Sequence, residues 1–135
     1  MVLVGDTSVG KSCLIRNYLE NSFAEDYEPT VLDIYKGIKN VKRRQIEVEI
    51  HDTSGDSQLG VNRSTQYRGT DVFLICVAVN NRDSFGNVDS WKREIQAVEP
   101  NSPIVLVLTK FDLSEYFEGS ITKQELESKV ESLGL

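Results

Sequence analysis

Residues 5–12 read GDTSVGKS, which fits the pattern G-x-x-x-x-G-K-[ST] at every specified position. The chemistry open to such a run is the gripping of a polyphosphate. Gly5 and Gly10 let the backbone curl until successive N–H groups point inward at phosphate oxygens. The candidate contacts are Gly5, Asp6, Thr7, Ser8, Val9, Gly10, Lys11, Ser12 and Cys13. Lys11 would neutralise the β- and γ-phosphates, and the Ser12 hydroxyl would bind Mg²⁺. An apolar run precedes the loop and a helical pattern follows it, so the partial positive charge of a helix N-terminus adds to the grip. This motif specifies a nucleoside triphosphate without naming the base.

A second short run speaks to the base. Residues 109–112 read TKFD and follow a buried apolar run directly. In an open α/β sheet, ligands sit at the carboxyl ends of strands, which puts Thr109, Lys110, Asp112 and Leu113 beside the phosphate loop. The Asp112 carboxylate can accept both the ring N–H and the exocyclic amine of guanine. Adenine offers neither and would leave a buried carboxylate unpaired, at a cost of orders of magnitude in affinity. A third run, DTSG at residues 52–55, places Asp52 at the end of an alternating strand, where a carboxylate holds Mg²⁺. The Gly55 N–H is then free to meet the γ-phosphate. Thr30, just after Pro29, can complete the metal shell when a triphosphate is present. The loops bearing Thr30 and Gly55 therefore have a reason to be ordered by GTP and released by GDP.

Alternating apolar runs and helical patterns must position these residues, and they read as a doubly wound α/β domain: a mostly parallel sheet with one antiparallel edge strand and helices on both faces. Strands are expected over 2–4, 32–39, 45–51, 72–79 and 104–108, and a first helix over 11–20. Residues 21–30 read as loop. Ile46, Val48 and Ile50 alternate with Glu47, Glu49 and His51, which suits an antiparallel pair joined by a basic turn. His51, the sole histidine, reads as a strand surface residue rather than a catalyst. Asp83 is the expected cap of a helix whose apolar side is Phe85, Val88, Trp91, Ile95 and Val98, ending before Pro100. Thr122 and Glu125 form a capping box for a last helix with Leu126, Val130 and Leu133 inward and Gly134 as its stop.

Composition narrows the field further. With 135 residues, one domain is expected, and a formal net charge of −6 argues against nucleic acid as a partner. Lys42, Arg43 and Arg44 are the only basic cluster, read as a solvated turn. Cys13 and Cys76 each lie in apolar surroundings without zinc spacing, so both read as small buried side chains in a reducing, cytoplasmic setting. No run of spanning length and no prenylation box is present, so no membrane anchor is expected in this chain.

These elements, in this order, resemble the Ras superfamily of small GTPases across essentially the whole chain. The resemblance implies GTP or GDP with Mg²⁺ as cofactors, slow GTP hydrolysis, and protein effectors and regulators acting through the two switch loops. It matches Lys11, Ser12, Thr30, Asp52, Gly55, Lys110 and Asp112 to the roles given above, and Phe23 to the aromatic that packs on guanine. The stretch YRGTDVFLICVAVNNRDSFGNVDSWKREI looks most like the Rab branch, whereas YEPTV, PNSPIVLV and TKFD look more like Rho. Both branches stay open.

Three departures stand out. The family's DTAGQ is here DTSGD, so Asp56 occupies the position of the glutamine that orients the attacking water. A carboxylate about 4 Å from the γ-phosphate, at an effective dielectric near 20, is opposed by roughly 4 kcal/mol. Asp56 is therefore expected to swing away, leaving hydrolysis slow, with Gln58 a weaker substitute. Thr7 stands where some branches need glycine for an incoming arginine finger, a group worth about 10³–10⁵ in rate. The family's last strand, its SAK loop and its covering helix have no counterpart here, so the chain is expected to be a section of a longer domain. Three functions compete: a regulatory GTPase with Lys11, Thr30 and Asp56 at its catalytic centre, a GTP-holding scaffold or sensor, and an ATPase or nucleotide kinase. Asp112→Ala is expected to abolish the preference for guanine over adenine nucleotides, measured by competition against a fluorescent GTP analogue.

Overall fold

The computed structural model describes residues 1–20 and 30–135. Its centre is β1 (Val2–Val4), three residues that are all buried because strands flank them on both sides. The described sheet runs β2-β3-β1-β4-β5. β1 pairs in parallel with β3 (Arg44–Thr53) on one side and β4 (Phe73–Ala78) on the other, and β4 pairs in parallel with β5 (Ile104–Thr109). The strand order therefore reverses its direction of growth at β1, which opens a crevice at that strand's carboxyl end. The phosphate loop occupies that position in the chain.

β2 (Leu32–Val41) is the antiparallel edge strand, in register with β3 from Leu32↔Thr53 to Val41↔Arg44. Both strands run longer than their alternation implies. The two-residue turn between them puts Lys42 at φ 46° and Arg43 at φ 69°. Two consecutive left-handed residues match the right-handed twist of a hairpin, although neither is the glycine or asparagine that adopts them without strain. Burial along β3 rises toward its end, from Ile46 at 44% exposed to Ile50 at 2%, because only that end lies against β1.

Alternation along β1 and β4 divides the core in two. Val2, Val4, Phe73, Ile75 and Val77 face one way, against Tyr67, Val88, Trp91, Ile95 and Ile121. Leu3, Cys76 and Ala78 face the other, against Val9, Ile15 and Ile50, with Leu19 packed beside them. Helix α1 (Lys11–Glu20) thus covers one face. The short α2 (Gly60–Ser64) and the helices α3 (Arg82–Gly86), α4 (Val88–Gln96) and α5 (Lys123–Leu133) are the other α-helices among the described residues.

Three readings need correction. Asn81, not Asp83, caps α3: its Oδ1 accepts the Ser84 N–H at 3.0 Å, while Asp83 sits in the first turn. The single helix expected from Asp83 to the stretch before Pro100 is also divided at Asn87, where glycine, a poor helix former, is followed by asparagine. Cys76 is buried and its thiol is pushed up to about 12 by burial, but Cys13, in α1, is only half-buried. His51 is partly buried and pairs through Nε2 with Glu49 Oε1 at 2.8 Å.

The last helix opens as its sequence implies. Thr122 Oγ1 accepts the Glu125 N–H and Glu125 accepts the Thr122 N–H, a reciprocal cap, and Gly134 closes the helix at φ 63°. Glu125 also pairs with Arg82 at 2.7 Å, joining the starts of α3 and α5. That guanidinium, with the Thr122 cap, holds the Glu125 carboxyl down from 4.5 to about 2. A depressed carboxylate stabilises the fold above its unfolded value, and the contribution is lost as pH falls from 4.5 toward 2. Acid unfolding of Glu125→Gln should accordingly lack part of the wild type's loss over that window. Thr122→Ala should lower stability by about 1 kcal/mol in denaturant titrations.

Candidate nucleotide-binding site

The loop after β1 is held open from below. Gly5 has φ 135°, and a Cβ there would lie 2.3 Å from the Cys76 carbonyl oxygen, so only glycine passes so close to β4. Ser8 adopts φ 62° and Gly10 φ 96°, which bends the loop back toward α1. Val9 is fully buried and anchors the loop in the core. The Thr109 hydroxyl donates to the Val9 carbonyl and also contacts the Val77 carbonyl at 3.0 Å, tying the loop to two strands. Lys11 Nζ donates to the carbonyls of Gly5 at 2.7 Å and Asp6 at 2.8 Å, so an ammonium lies across the curled backbone. It is 6% exposed, and burial lowers its pKa, a penalty that a phosphate dianion would remove.

Beside it lies a corner of hard oxygen donors. Ser12 Oγ and Thr30 Oγ1 are 2.9 Å apart, and Thr30 Oγ1 reaches Asp52 Oδ2 at 3.4 Å. Asp52 is fully buried, and its Oδ1 has no hydrogen-bond partner. Burial raises its pKa. A buried carboxylate with one orphaned oxygen and a hydroxyl pair beside the other fits Mg²⁺, which takes one or two carboxylates and fills the rest of its shell with water and substrate phosphate. Among the described residues no group of three His, Cys, Asp or Glu side chains forms a metal cluster.

The DTSG turn presses directly on the phosphate loop. A Cβ at Gly55 would sit 2.3 Å from Asp6 C and Thr7 N, a backbone-on-backbone approach. The Asp56 side chain is exposed and turned to its own chain: Oδ1 accepts the Gln58 N–H at 2.8 Å and caps a 3₁₀ turn over Ser57–Leu59. Gln58 is exposed.

Four residues important here carried no role as site residues in the sequence reading. Arg63, 5% exposed, donates to the carbonyls of Ser54 at 2.7 Å and Asp56 at 2.9 Å. It also pairs with Glu94 at 2.8 Å and covers the Trp91 ring at 4.4 Å. Asn87 and Trp91 both donate to Asp6, whose carboxylate therefore faces α4 rather than the phosphates; only Asp6's backbone remains for a nucleotide. Trp91 read simply as part of an apolar helix face. Its partners lie dozens of residues away, and nothing local announces them.

At the base end, Lys110 has φ 55° and opens a 3₁₀ turn over Phe111–Leu113. Its side chain runs near Gly10, with Cε 3.9 Å from where a Cβ there would stand. Asp112 is exposed and Leu113 half-buried, so the expectation of a buried Asp112 is corrected: the carboxylate faces water. A cavity of about 350 Å³ lined by Ser8, Asn80, Asn81 and Lys110, among others, opens between this turn and the phosphate loop. The structure thus gathers Lys11, Ser12, Thr30, Asp52 and Gly55 around one loop, with Thr109 and Lys110 along its far side. Phe23 lies outside the described residues.

A curled loop at the sheet's switch point, a buried ammonium within it and an oxygen corner beside it define a P-loop nucleotide-binding α/β domain. Comparison of the sequence with protein-family models takes the assignment further: the model described as Ras family matches residues 1–135. The chain belongs to the Ras family, and at that level it is a small GTPase, a GTP-binding switch. Gly55→Ala, which drives a methyl into the phosphate loop, is expected to destabilise the domain by about 1–3 kcal/mol in urea unfolding and to weaken nucleotide binding with it.

Proposed function

We propose that this protein binds GTP and GDP with Mg²⁺, hydrolyses GTP slowly, and presents its two switch segments, around Thr30 and residues 52–60, to protein partners according to the nucleotide held. Lys11 and the loop amides would hold the phosphates, Ser12, Thr30 and Asp52 would hold the metal, and Lys110 and Asp112 would read guanine. The metal would neutralise charge developing on the transferred phosphoryl group. A reducing, cytoplasmic setting fits two free thiols. The Rab-like and Rho-like readings divide the sequence between them, and the partners follow whichever branch holds.

One observation carries the slow rate: Asp56, at the water-orienting position, spends its carboxylate on the Gln58 N–H. The same contact favours the second reading, a GTP-holding scaffold or sensor that hardly turns over. Chromatography of the nucleotide co-purifying with the protein separates them, since GDP marks a working enzyme and GTP a stalled one. Single-turnover hydrolysis of wild type, Asp56→Gln and Asp56→Asn tests the cause. Asp56→Gln should be faster by about tenfold, because a neutral side chain of the right length can orient water. Asp56→Asn keeps the cap without the charge and should stay near the wild-type rate. An Asp56→Gln rate equal to wild type would defeat the reading.

A further inference from the structure

Two halves of the site, the phosphate loop and the turn at residues 54–56, meet on one indole. The edge of Trp91 faces the loop: Nε1–H donates to Asp6 Oδ1 at 2.7 Å, and Asn87 Nδ2, one turn earlier, donates to Asp6 Oδ2 at 2.8 Å. Both carboxylate oxygens of Asp6 are therefore held from the start of α4. The ring of the same Trp91 faces the turn, with the Arg63 guanidinium 4.4 Å from its centroid. That guanidinium holds the Ser54 and Asp56 carbonyls at 2.7 and 2.9 Å. Glu94, the next residue on this side of α4, fixes the guanidinium by a bidentate pair at 2.8 and 2.9 Å, and the Tyr67 hydroxyl donates to Glu94 at 2.7 Å.

The consequence is geometric. Trp91 is 7% exposed between buried Val88 and Ile95, so its helix is packed into the core against the sheet at this point. Asp6 is itself one of the residues against which Gly55 presses, and Ser54 and Asp56 flank Gly55, so the bracket ends on one of the two pressed backbone segments and on either side of the other. Core packing at this position needs only apolar bulk. An N–H aimed at a loop carboxylate and a ring face stacked on a switch-side cation are needed only if the two segments must keep a fixed separation.

We propose that Trp91 is a positioning residue for GTP hydrolysis, setting the phosphate loop against the 54–56 turn through its N–H to Asp6 and its ring to Arg63. This rests on the GTPase reading above. Trp91 is also the sole tryptophan in the chain, so its emission reports both contacts without a label.

The test compares wild type, Trp91→Phe, Asp6→Ala and the double variant by single-turnover GTP hydrolysis and GTP-against-ATP competition, and compares wild type with Asp6→Ala, the two that retain the tryptophan, by emission with GDP and with a non-hydrolysable GTP analogue bound. Each single variant should slow hydrolysis at least about fivefold, as expected for loss of a hydrogen bond to a charged group. The double variant should be no more than about twofold slower than the worse single, because both remove the same bond. Guanine preference, set at Lys110 and Asp112, should stay unchanged in all of them. Wild-type emission should differ between the two nucleotides, and Asp6→Ala should shrink that difference. Asp6→Ala lies on a partly exposed loop and retains Trp91, so it decides the question even where Trp91→Phe fails to fold. Single-variant rates within about twofold of wild type, or losses that multiply in the double, overturn the coupling and leave the GTPase reading standing. A wild type that binds no guanine nucleotide overturns the GTPase reading and this proposal together.

Discussion

A loop that must present its amides to an anion cannot spend them on itself, and so the backbone of residues 5–10 makes few contacts that would hold its shape from within. The structure supplies the support from outside. Val9 is sunk in the core, the Thr109 hydroxyl ties the loop to β5 and β4, and the Asp6 carboxylate is bound by Asn87 and Trp91. Gly5 and Gly55 let two neighbouring backbones come within reach of it, where any Cβ would collide. The sheet order, the side on which α4 packs and the short turn after β3 all make sense as ways of bringing those supports to one place.

The same crowding sets the electrostatics. Lys11 and Asp52 are both buried near the loop, and burial moves each toward its neutral form, the lysine downward and the aspartate upward. Their mutual attraction offsets only part of that penalty, since desolvating two charges costs more than a loose pairing returns. A site left with a cation held by carbonyls and a carboxylate with an orphaned oxygen is poised for a counter-anion and a counter-cation. A nucleotide phosphate is the counter-anion that belonging to this family supplies, and Mg²⁺ is the counter-cation we propose.

The switch-side turn is treated differently. Asp56 is satisfied locally as a cap, and Arg63 holds the carbonyls on either side of Gly55. A turn fastened by its own side chains is a turn with a defined resting shape. Its link through Trp91 to the loop means that the two segments, separate in sequence, share one support.

The amino-acid sequence determined on its own whatever depends on neighbours within a few residues. The phosphate loop, the alternation of β3, the capping box at Thr122 and the Gly134 stop could all be read because backbone curvature, strand period and helix capping are local. Two local readings still slipped. Asn81 and Asp83 are equally good caps two residues apart, and the choice fell to the chain path leaving β4; Gly86 and Asn87 then divided the helix. The shared corner of Ser12, Thr30 and Asp52 was legible through its motifs, but tertiary structure alone decided the pairings that no motif carries: Asp6 with Trp91 and Asn87, and Arg63 with Glu94. Those pairings depend on how strands and helices stack across the sheet, and side-chain chemistry at one position carries no record of a partner dozens of residues distant.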